Sequence, residues 1–64
     1  MTIAFRFPEV FRAAGEACRA HYAKVDAGLI AETEAPANPF PVPQINSETE
    51  WHAYNAGWNQ AVPI

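Results

Sequence analysis

What this 64-residue chain lacks narrows its class before anything it contains does. It has one cysteine, Cys18, so no internal disulfide can staple it. Only 17% of its residues are charged, and four lysines and arginines stand against seven aspartates and glutamates, for a formal net charge of −3. No basic footprint for phosphate contacts is present, so direct nucleic-acid binding is not expected. There is no CxxC pair, no glycine-rich phosphate loop and no Ser-His-Asp set. The opening "MTIAFRFPEV" has neither a long apolar run nor a small-residue cleavage signal, and no segment reads as a membrane span. The cytoplasm is the expected compartment, with no membrane association.

Half the residues are apolar, too many for a disordered chain. A chain of this length makes one domain, residues 1–64, and a core this small rarely supplies more than roughly 3–5 kcal/mol of net stability. Without a disulfide, association is the favoured remedy. A homo-oligomer or a lasting complex with a larger partner is therefore expected.

The segment "TIAFRF" alternates, with Ile3, Phe5 and Phe7 on one side and Thr2, Ala4 and Arg6 on the other. That is the period of a half-buried strand, but no second strand follows, so residues 1–7 are expected to be an extended arm or a strand that pairs outside the chain. Pro8 then suits a first helical position, where its missing N–H is no loss, and Glu9 complements the helix dipole. Phe11, Ala14, Cys18, Tyr22, Val25 and Leu29 recur in steps of three and four, which predicts an amphipathic helix over 8–31. Gly28 either ends or weakens it. Small residues such as Ala13, Ala17 and Ala20 let a second helix come close.

Four prolines between residues 35 and 46 make that stretch an extended connection, anchored by Phe40, Val42 and Ile45. After it, Ser47 with Glu50 reads as a capping box, and a second helix over 47–61 carries Trp51, Tyr54, Trp58, Ala61 and Val62 on one stripe. The expected fold is all-α: a two-helix hairpin with an extended N-terminal arm or strand and a proline-rich connection. Gly57 lies between Tyr54 and Trp58 in "AYNAGWNQA", where glycine costs roughly 1 kcal/mol relative to alanine. Close approach of the first helix would account for it.

Asn38-Pro39-Phe40 followed by Tyr54-Asn-Ala-Gly57-Trp58, after a small-residue helix with an internal glycine, resembles the ribosome modulation factor and its small relatives, many carried by phages. The resemblance implies two helices paired through a loop with a Pro-aromatic step. The connection here is several residues longer, and the strong basic charge of that family is absent.

Catalytic chemistry has little to stand on. Cys18 and His21 lie one turn apart, but Cys18 falls on the apolar stripe, where an inert buried thiol is expected, and His21 and His52 read as helix-surface residues. Glu32 with Glu34, and Glu48 with Glu50, read as helix-end charges rather than acid–base dyads. No cofactor, metal or enzymatic activity is expected. A chain this small cannot cover two Trp, two Tyr and four Phe, and exposed aromatics mark binding surfaces. Trp51, Phe40, Phe5, Phe7 and Arg6 are therefore the candidate partner-binding residues. The expected role is docking on a larger protein or ribonucleoprotein machine as inhibitor or accessory subunit, with phage origin suggested by size and resemblance. The alternative is a ribosome-associated stationary-phase factor using Arg6, Arg12, Arg19 and Lys24.

Overall fold

The computed structural model of the chain describes residues 6–44 and 48–63. Its architecture is all-α. Helix α1 spans Pro8–Asp26, a short 3-10 turn spans Glu32–Glu34, and helix α2 spans Glu50–Ala61. Residues 1–5 of the expected arm lie outside the described residues, while Arg6 has helical backbone and Phe7 bends (φ −132°, ψ 63°) into α1.

Pro8 opens α1, and the backbone ladder starts with the Phe11 N–H donating to the Phe7 carbonyl at 3.0 Å. Glu9 in the first turn also holds Arg12 at 2.7 Å, an exposed pair worth little to stability. The helix stops at Asp26, short of the expected Ala31. Gly28 adopts the left-handed conformation (φ +75°), which turns the chain so that its own N–H reaches the Val25 carbonyl at 3.0 Å. The Leu29 N–H reaches the Lys24 carbonyl at 2.9 Å. Together these bonds satisfy the last carbonyls of α1 in a Schellman motif. Leu29 is thereby thrown off the apolar stripe and stands 72% exposed.

Helix α2 also departs from its expected start. Thr49 is the N-cap and His52 occupies the third helical position, so the capping box sits two residues later than a Ser47–Glu50 box would. The imidazole takes the role expected of the glutamate. Its Nδ1 accepts from the Thr49 N–H at 3.4 Å and lies 3.1 Å from the Thr49 hydroxyl. Ser47 lies outside the described residues. His52 is half-buried by this role, not a free surface residue.

Between the helices, Ala31 and Ala35 are extended (ψ 152° and 139°), and the described proline-bearing stretch that follows forms no helix or strand. The helices meet along a seam of small residues: Ala14, Cys18 and Ala53 have no exposed surface, and Gly15 and Gly57 are buried with them. Gly57 lies over Phe11 and Ala14, whereas Ala61 and Pro63 share a hollow with Arg19, Tyr22, Ala23 and Asp26. Later positions of α2 thus meet later positions of α1. Only a connection long enough to carry the chain back along α1 permits that arrangement.

The seam explains where the aromatics go. A close helix approach leaves no room for large rings at its centre, so Phe11, Tyr22, Phe40, Trp51, Tyr54 and Trp58 are all half-buried around it. Among the described residues the largest fully buried side chain is a cysteine.

Candidate functional site

Asn38 organises the surface on which two of the candidate binding residues lie. Its Oδ1 accepts from the Phe40 N–H at 3.0 Å, which turns the chain through Pro39. Its Nδ2 donates both to the Trp51 carbonyl and to Asn55 Oδ1, each at 3.0 Å. One amide therefore ties the proline connection to the first turns of α2. Phe40 then meets Tyr54 edge-on, with ring centroids 6.1 Å apart and planes at 61°.

This clamp leaves a hollow of about 170 Å³ between the connection and the start of α2. Phe40, Pro41, Val42 and Pro43 form one wall, and Thr49, Glu50 and Trp51 the other. Val42 is 69% exposed at its edge. Trp51 also meets the ring of His52 edge-on, 5.2 Å away at 89°. Phe40 and Trp51 are thus brought together, as two walls of one apolar surface. Arg6 and Phe7 stand apart from it, at the start of α1, where the Arg6 guanidinium lies 5.6 Å from the Phe7 ring centroid. Phe5 lies outside the described residues.

Tyr54 and Trp58 part company. Tyr54 faces Phe40 and the connection, while Trp58 lies against α1 with its ring 5.7 Å from that of His21. Trp58 belongs to the helix interface and Tyr54 to the support of the hollow.

His21 is where the structure departs most from the sequence reading. It is buried, 4% exposed, rather than on the helix surface. Its Nε2 lies 3.0 Å from the Glu32 carbonyl oxygen and must carry the proton to donate there, and its ring also packs edge-on against Tyr22 at 4.9 Å. The remaining nitrogen, Nδ1, is buried with no hydrogen-bond partner among the described residues. His21 thus pins the 3-10 turn to α1, helped by a 3.5 Å contact from the Tyr22 hydroxyl to Glu32.

The chemistry of the interior is quiet. Burial pushes the Cys18 thiol above its ordinary range, which disfavours the nucleophilic thiolate. Burial, then the charge of Glu32, does the same to the Tyr22 hydroxyl. Among the described residues no group of three or more His, Cys, Asp or Glu is placed to hold a metal ion, and no helix is long and apolar enough to cross a membrane. Comparison of the chain with family models, with curated proteins and with solved structures finds no match.

Proposed function

We propose that this chain is a small non-enzymatic binding module that docks on a larger protein or ribonucleoprotein machine as an inhibitor or accessory subunit. The observation that carries the reading is the hollow between Phe40 and Trp51, held open by Asn38 and edged by exposed Val42. A folded surface that keeps a tryptophan and a phenylalanine accessible around a preformed depression has the composition of a binding hot spot. The buried, thiol-form Cys18 supports a role without nucleophilic chemistry. The test is affinity capture from the native host by the wild-type chain, Trp51→Ala and Leu29→Ala, each checked for folding by circular dichroism. A partner kept by wild type and Leu29→Ala but lost by Trp51→Ala supports the reading. A partner retained equally by all three places docking elsewhere, and turnover of a substrate by the purified chain overturns it.

A further inference from the structure

The docking reading leaves open what the hollow accepts, and the surroundings of Phe40 and Trp51 narrow that choice. Charge is divided along the chain. All four lysines and arginines lie at or before Lys24, whereas every charged residue after Asp26 is a glutamate: Glu32, Glu34, Glu48 and Glu50. The described residues that line the hollow all belong to that acidic half, with Glu50 among them and exposed Glu48 next to Thr49 in the chain.

Several hydrogen-bonding groups at its walls are already used. Asn38 takes the Phe40 N–H and the Trp51 carbonyl, and the Thr49 N–H and hydroxyl are turned to His52. Pro41 and Pro43 have no N–H to offer and the Phe40 N–H is held by Asn38, so Val42 is the one residue of that wall left with a backbone donor, too few for an added strand. The surface offered for recognition is thus mainly apolar, with negative charge at its edge.

We infer that the hollow takes a large apolar side chain flanked by lysine or arginine, on an exposed segment of a protein partner. The apolar side chain seats between Phe40, Val42 and Trp51, and the flanking cations lie against Glu48 and Glu50. This deepens the docking proposal and rests on it. Charge complementarity of this kind sets partner choice and encounter rate more than it sets affinity.

The test titrates the full chain with two synthetic peptides that carry the same central phenylalanine, one flanked by lysines and one by glutamates, followed by NMR and calorimetry. The lysine peptide is expected to shift the resonances of Phe40, Val42 and Trp51 and to bind about three- to tenfold more tightly than its counterpart. That preference should shrink as salt is raised and fall in Glu48→Gln and Glu50→Gln, which keep the side-chain shape. Equal binding of the two peptides, or no shift at these residues with either, overturns the inference. So does sedimentation showing that a second copy of the chain fills the hollow, with the same resonances moving on concentration alone. If host capture still depends on Trp51 while the lysine peptide has no advantage, the charge assignment fails and the docking surface stands.

Discussion

The α carbon of Gly57 faces the carbonyl oxygen of Phe11 so closely that a β carbon at position 57 would overlap it, and would also lie 3.0 Å from the Ala14 Cβ. Both obstacles are short and fixed, one of them backbone. The glycine inside α2 is there to let the two helices touch.

Gly57→Ala should therefore destabilise the fold by about 1–3 kcal/mol, even though alanine is the better helix former. Gly15→Ala supplies the contrast. A β carbon there meets only the far end of the flexible Arg19 side chain, at 3.3 Å, so the variant should be neutral or up to about 1 kcal/mol more stable. Urea denaturation of the two variants should move the midpoint in opposite directions, or at least leave Gly15→Ala unchanged while Gly57→Ala falls.

Asn38→Ala removes the acceptor for Phe40 and both donations into α2 at once. A loss of about 1–3 kcal/mol is expected, together with a change in Trp51 fluorescence as the hollow loosens. Asn38→Asp keeps the acceptor for Phe40 but loses the donors, so its loss should be comparable if the ties to Trp51 and Asn55 dominate.

Trp58 and Trp51 should also separate by experiment. Trp58→Ala opens the helix interface beside His21 and should cost up to about 3 kcal/mol, less than for a fully buried tryptophan. Trp51→Ala should cost less stability and more partner affinity. Equal effects of the Trp58 and Trp51 variants on melting temperature and on binding would show that the interface and the hollow are not distinct.

Alkaline pH tests the seam through Cys18. Its folded thiol ionises above the ordinary value of 9.0 because burial disfavours the thiolate. A pKa raised on folding contributes stability that is fully present below the unfolded value and lost as pH rises through the folded one. Stability should hold to about pH 8 and decline from about pH 9 upward. Cys18→Ala should flatten the first part of that decline, with the raised Tyr22 hydroxyl contributing at still higher pH. Chemical denaturation across pH 7–11 measures both.

Both helices and the extended connection were legible in sequence because they follow from local rules: apolar residues at steps of three and four, a proline run, a glycine between aromatics. Gly57 could be read as a close approach for the same reason. Two of the misread features depend on partners distant in the chain. His21 is buried because the Glu32 carbonyl, 11 positions away, arrives over it, and nothing near His21 announces that. Asn38 reaches 13 and 17 positions ahead to Trp51 and Asn55. The start of α2 slipped because an imidazole accepts a backbone N–H as a glutamate would, so "SETEWH" contains two overlapping caps. Of the site, the pairing of Phe40 with Trp51 was legible as exposed aromatics beside the prolines. The placement of Arg6 and Phe7 away from it was not, since it depends on the bend at Phe7.

The long return between the helices has a consequence for how quickly the molecule can assemble. Helical proteins usually fold fast because their contacts are local in sequence, but here the union of Gly57 with Phe11 closes a loop of about 45 residues. The conformational freedom of that loop must be surrendered before the seam returns any stabilisation. The chain should therefore fold more slowly than a helix pair joined by a tight turn, with the rate set by the connection rather than by either helix.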